Sequence, residues 1–156
     1  MQLYLVQPIF WKVGQSLQVF YQLKIYLQLD NSPNELKQHL IETKPDIAIA
    51  ISYGEIIREE ALQIPKHGWL NLHFSLLPKY RGAAPVQRAI LAGETVSGFT
   101  IFRLDQGLDT GPIFTQHKVE INNGNAGEIL EIMAKLGASK IPEVIKKIEA
   151  GDQPTA

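Results

Sequence analysis

Cysteine is absent from the 156-residue chain. That excludes a disulfide framework, cysteine-ligated zinc and thiol catalysis. It is compatible with the cytoplasm, the expected location. Charge of one sign is also lacking. The net charge is −1, so no global basic field draws in nucleic acid, and any such contact must come from a local patch. No apolar run approaches the roughly 20 residues that a membrane span needs, and no basic-then-apolar leader is present. Interaction with a membrane is therefore not expected. The aromatic and glutamine-rich first 30 residues read as a buried amphipathic helix, with a membrane-surface helix as the alternative.

Hydrophobic residues make up 45% of the chain and charged residues 20%. This composition suits one globular domain over residues 1–156. Apolar residues at Ile9, Val13, Leu17 and Phe20 predict a helix over Ile9–Leu23, and Lys24–Leu29 reads as a short strand. Ser32-Pro33-Asn34-Glu35 is a helix start, with Leu36, Leu40 and Ile41 inward. Asp46–Tyr53, nearly all apolar between Pro45 and Gly54, predicts a central strand buried on both faces. Glu55–Leu62 and Pro85–Ala92 read as helices, and Gly68–His73, Ser97–Arg103 and Ile113–Val119 as strands. A last helical region, Ala126–Ala150, turns Ile129, Ile132, Met133, Leu136, Ile141, Val144, Ile145 and Ile148 inward, with interruptions at Gly137 and Pro142. Strands alternating with helices indicate the α/β class.

The chemistry concentrates between Trp69 and Gly111. Asn71 and His73 lie two apart on a strand, so their side chains point the same way. Asn donates a hydrogen bond, and a protonated imidazole can donate to a developing oxyanion. Asp109, between Gly107 and Gly111, reads either as a turn aspartate or as a carboxylate that orients His73 and accepts a proton through water. Ser75 lacks the glycine-flanked elbow of a hydrolase nucleophile and reads as a turn residue. His39, His67 and His117 share no ligand spacing with acids, so no metal is expected. Lys79, Arg81 and Arg88 form either a phosphate-receiving group or a solvated rim. The turn Tyr53-Gly54-Glu55-Ile56-Ile57 either walls a flat heterocycle or simply joins a strand to a helix.

Asn71-Leu72-His73, Ser75-Leu76-Leu77-Pro78 and Asp109 together resemble the catalytic core of the folate-dependent formyltransferases. Leu76–Ala92 with Gly107–Gly111, and Asp46–Gly54, resemble the branch that acts on methionyl-tRNA. The resemblance runs from about Pro33 to Gly151. It implies a Rossmann-like three-layer fold with a mostly parallel central sheet, and 10-formyltetrahydrofolate as formyl donor. It implies that Asn71 and His73 bind the formyl oxygen and that Asp109 positions His73 and relays protons. Tyr53, Gly54, Ile56 and Ile57, with Leu104, Gly107 and Leu108, match positions that line the folate pocket. Ser75, Leu76, Leu77, Pro78 and Arg81 would meet the acceptor, initiator methionyl-tRNA, on a monomer.

Three features of the family are not matched: its first strand with a glycine-bearing turn, its tRNA-contacting insertion and its C-terminal β-barrel domain. Phe74 also stands where the family usually has a small residue or proline. The expectation is a catalytic domain incomplete at the N-terminus, with little or no formylation of methionyl-tRNA. The same three residues would serve an amino-sugar nucleotide, glycinamide ribonucleotide or water as acceptor. An inactive fragment is the non-enzymatic alternative.

Overall fold

A computed structural model of the chain describes residues 3–6, 33–51, 53–122 and 124–155. The expected helix over Ile9–Leu23, the strand over Lys24–Leu29 and the cap at Ser32 lie outside the described residues. One five-stranded sheet runs in the order β1 (Leu3–Val6), β2 (Ile47–Ile51), β3 (Trp69–His73), β4 (Val96–Arg103), β5 (Ile113–Glu120). The first three strands are parallel and the last two antiparallel, so the sheet is mixed, with its parallel part confined to β1–β3. Leu3–Val6 forms an edge strand in register with Ile47–Ala50.

Residue parity assigns the two faces. In β2, Ile47, Ile49 and Ile51 point to one side, joined by Leu70 and Leu72 of β3 and by Phe99 and Ile101 of β4. These pack on α4 (Ala126–Glu149) through Met133, Ala134, Ala138, Ile141 and Val144. On the other side, Ala48, Ala50 and Trp69 meet Leu36 and Leu40 of α1 (Pro33–Thr43) and Ala61 of α2 (Glu59–Leu62). The Trp69 indole also donates from Nε1 to Ala61 O at 2.9 Å. Asn71 and His73 share the Trp69 side.

Four local expectations are corrected. Ile41 is 45% exposed, because it lies one helical step off the Leu36–Leu40 line. The expected helix over Glu55–Leu62 is only Glu59–Leu62. Arg58 is extended, and Glu55 N–H closes a tight turn on Tyr53 O, so residues 55–58 run as a loop. Ile132 and Leu136 are 48% and 47% exposed, so the buried stripe of α4 is narrower than its apolar set.

Finally, α4 is one helix of 24 residues, capped by Asn125 and Glu128 in a reciprocal pair, and neither Gly137 nor Pro142 interrupts it. Gly137 is where the helix backbone meets Leu72: a Cβ there would lie 2.6 Å from Leu72 Cδ1. A glycine costs a helix about 1 kcal/mol. Fully burying a leucine side chain returns about 1.5–3 kcal/mol, so packing wins.

Candidate active site

α3 (Pro85–Leu91) follows a long loop from the end of β3, and a second loop joins β4 to β5. These loops, with the turn after β2, enclose a cavity of about 390 Å³ on the Trp69 side of the sheet. Its walls include Asn71, His73 and Asp109. Asn71 and His73 come from alternate positions of β3, and Asp109 from the β4–β5 loop. His73 Nδ1 lies 3.5 Å from Asp109 Oδ2, and both residues are buried, at 8% and 9% exposure. Asn71 is half-buried and open to the same cavity.

Asp109 has a left-handed backbone, φ 51°, which Asp tolerates better than most residues. Its Oδ2 accepts the backbone N–H of Gly82 at 2.7 Å. On its other edge, the His73 ring donates from Nε2 to Tyr80 O at 3.0 Å.

The expected folate-pocket residues all reach this cavity. Tyr53, Gly54, Ile56 and Ile57 line it from the β2 side. Leu104, Gly107 and Leu108 line it from the β4–β5 loop. Ile56 and Leu108 are 81% and 63% exposed at its mouth, whereas Ile57 is buried. The Tyr53 phenol is raised above its ordinary value, first by burial and then by the Glu55 carboxylate, so it stays protonated as a donor. Gly107 and Gly111 serve close approaches within the loop itself. A Cβ at Gly107 would lie 2.0 Å from Thr110 Oγ1, and one at Gly111 1.8 Å from Arg103 O.

The expected acceptor residues are arranged differently. Ser75, Leu76, Leu77, Pro78 and Arg81 are not among the residues lining the cavity. Ser75 is buried and its hydroxyl donates to Lys79 O at 2.6 Å. Leu77 is buried too: its N–H donates to Thr100 Oγ1, and its carbonyl accepts from the Gln116 amide. Thr100 in turn donates to Ser75 O at 2.7 Å. These groups clamp the loop after β3 onto β4 and β5. Pro78 and Arg81 are exposed, and Arg81 O accepts from the Arg88 guanidinium.

Sequence reading overlooked the Tyr80 carbonyl and the Gly82 amide, because backbone groups carry no residue signature. Ala50 and Phe74 also line the cavity. Ala50 was legible as a small residue in a strand of isoleucines. Among the described residues, no group of three or more His, Asp or Glu could hold a metal ion, and no helix is long and apolar enough to cross a membrane.

The chain is 44% identical over 118 residues to a methionyl-tRNA formyltransferase of Arthrobacter sp. (strain FB24), matching 75% of this chain and 39% of that protein. It is 47% identical over 123 residues to one from Thermodesulfovibrio yellowstonii, matching 78% of this chain and 39% of that protein. The chain thus spans about two fifths of the length of these curated relatives. The crystal structure of HypX from Aquifex aeolicus in complex with tetrahydrofolic acid superposes on 99% of this chain and 28% of its own, with a TM-score of 0.89 at 21% identity. At that identity it shows the shared Rossmann-like fold alone. The profile of the formyl transferase family matches residues 14–145, most of the sequence, and the chain belongs to that family.

Proposed function

We propose that the protein transfers a formyl group from 10-formyltetrahydrofolate to the amino group of methionyl-tRNA. The observation that carries this reading is the convergence of Asn71, His73 and Asp109 on one cavity, in a chain 44–47% identical to the two methionyl-tRNA formyltransferases. The cavity volume of about 390 Å³ suits a small-molecule group, and its mixed wall suits a flat heterocycle. Ile57, Leu62 and Leu104 supply apolar surface there, and Tyr53 supplies a phenol.

The folate supplies the formyl carbon and leaves as tetrahydrofolate. Asn71 donates from its amide to the formyl oxygen, and a protonated His73 donates to the same oxygen as negative charge builds there. The amine forms the new C–N bond and loses a proton, which Asp109 accepts through water. The old bond to N10 breaks, and N10 gains a proton. Asp109 also holds the His73 ring in place, since its carboxylate faces Nδ1. A prearranged set of donors of this kind is worth about 10²–10³ in rate per donor.

The test is an assay of formyl transfer from 10-formyltetrahydrofolate, with methionyl-tRNA, glycinamide ribonucleotide, an amino-sugar nucleotide and water alone as competing acceptors. The expected result is formylation of methionyl-tRNA, even if slow, that His73→Ala abolishes. Transfer to another acceptor in preference, or transfer indifferent to His73→Ala, overturns the reading.

A further inference from the structure

The imidazole of His73 lies between two acceptors. Nε2 is 3.0 Å from Tyr80 O, and Nδ1 is 3.5 Å from Asp109 Oδ2. A carbonyl oxygen only accepts, so the Tyr80 contact requires a hydrogen on Nε2. The Asp109 side is looser, beyond the ordinary N–H···O range of about 2.7–3.2 Å. The same Oδ2 is already engaged by Gly82 N–H at 2.7 Å. A neutral ring has one hydrogen to place, and the shorter contact decides its position. The two sides also differ in what they face: Asp109 lines the cavity, and Tyr80 does not.

The Tyr80 carbonyl is aimed by an unusual backbone. Tyr80 has φ 57°, a left-handed conformation that residues with a Cβ seldom adopt. Its side chain is held at the hydroxyl and over one face of the ring. The hydroxyl donates to Glu94 Oε1 at 2.9 Å, and the Arg88 guanidinium lies 5.7 Å from the ring centre. Lys79 Nζ reaches the same Glu94 oxygen at 2.9 Å. Glu94 is fixed in the turn after α3 by its own N–H, which donates to Ala89 O. Hydrogen bonds from Lys79 and then Tyr80 hold the Glu94 carboxyl below its ordinary value, so the anchor stays charged at neutral pH.

We propose that Tyr80, tethered by Glu94, is a positioning residue: its carbonyl keeps the His73 ring hydrogen on Nε2 and leaves Nδ1, on the Asp109 side, as the nitrogen that gains and loses the proton. Protonation then places the second hydrogen beside Asp109 and the cavity, while the Nε2–H bond to Tyr80 persists. The catalytic consequence, that Nδ1–H is the donor to the developing oxyanion, rests on the formyl-transfer reading; the tautomer does not.

Two-bond ¹⁵N–¹H correlations on the ¹⁵N-labelled chain identify the protonated ring nitrogen, with His73 assigned by the loss of its signals in His73→Gln. The neutral ring of the unsubstituted chain is expected as Nε2–H. Glu94→Ala is expected to populate Nδ1–H, Glu94→Gln to restore Nε2–H by keeping an acceptor oxygen, and Tyr80→Phe to fall between. An Nδ1–H tautomer in the unsubstituted chain overturns the proposal. So does an unchanged Nε2–H tautomer in both Glu94→Ala and Tyr80→Phe; Tyr80→Phe alone decides the tether if Glu94→Ala does not fold. In the formylation assay, Glu94→Ala is expected to lower kcat about ten- to hundred-fold with KM little changed. Failure of the unsubstituted chain to transfer formyl would sink the formyl-transfer reading alone, because the spectrum needs no substrate.

Discussion

The Asp109 carboxylate accepts the backbone N–H of Gly82 at 2.7 Å. This bond joins the loop after β3 to the loop after β4, 27 residues apart in sequence. The carboxylate that faces His73 is thereby also the clasp between the two loops over the site. Chemistry and loop closure share one side chain, and substitutions can separate them.

Asp109→Asn keeps an oxygen for Gly82 N–H and tolerates the left-handed backbone. It removes the charge beside His73. Formyl transfer is expected to fall about 10²–10⁴-fold, with a thermal midpoint close to that of the unsubstituted chain. Asp109→Val, β-branched at φ 51°, is expected to lower the midpoint as well. Equal activity in Asp109→Asn would remove Asp109 from the mechanism.

Asn71 is half-buried and open to the cavity, so its loss leaves little unsatisfied. Asn71→Ala is expected to cut kcat about 10²–10³-fold while leaving the melt unaltered. A loss confined to KM would mean that Asn71 binds the ground state only.

Ile56 is 81% exposed at the cavity mouth. Folding gains little from it, and a bound folate would cover it. Ile56→Ala is expected to raise KM for 10-formyltetrahydrofolate several-fold, up to about ten-fold, without a change in melting temperature. An unchanged KM places the folate elsewhere.

Gly137→Ala sets a Cβ 2.6 Å from Leu72 Cδ1 and 3.2 Å from its Cγ, and Leu72 is itself buried, so the side chain or the helix must shift. A cost of about 1–3 kcal/mol is expected. Leu72 lies between Asn71 and His73, so a fall in kcat should accompany the lower melting temperature. A melt equal to that of the unsubstituted chain would show that α4 can shift without penalty.

Glu94 and Lys79 form a pair whose contribution depends on pH. The Glu94 carboxyl is lowered from 4.5 by its bonds from Lys79 and Tyr80, so its contribution is full above 4.5 and lost as pH falls through the lowered value. The Lys79 ammonium is raised from 10.5 by its bond to Glu94, so its contribution is full below 10.5 and lost as pH rises through the raised value. The midpoint difference between the unsubstituted chain and Glu94→Gln should therefore be largest between these limits and shrink outside them. A difference that persists undiminished in acid would show that Glu94 acts by packing rather than by charge.

Much of this arrangement was legible in the residues. Alternation made the pairing of Asn71 with His73 readable, and the apolar run of β2 marked a strand buried on both faces. Asp109 was readable as a loop carboxylate, but its partner Gly82 N–H, and the Tyr80 O that accepts from His73, were not, since every residue has such groups and only tertiary geometry selects them. Gly137 misled for a related reason: helix propensity is local, and the contact with Leu72 that repays it comes from a strand 65 positions away. The same limit applies to Ser75 and Leu77, whose buried bonds to Lys79 O and Thr100 turn a family-like motif into a brace.

β3 gives Asn71 and His73 to the cavity, Trp69 to α1 and α2 on the same face, and Leu70 and Leu72 to the α4 side. A change of length within Trp69–His73 would consequently be worse than any substitution there. One inserted residue would turn Asn71 and His73 toward the helix and Leu72 toward the cavity, losing reactivity and packing in a single event. Insertions in the exposed turn at Gly93 leave that alternation untouched, so the strand should be the sharpest gap in an insertion map of this chain.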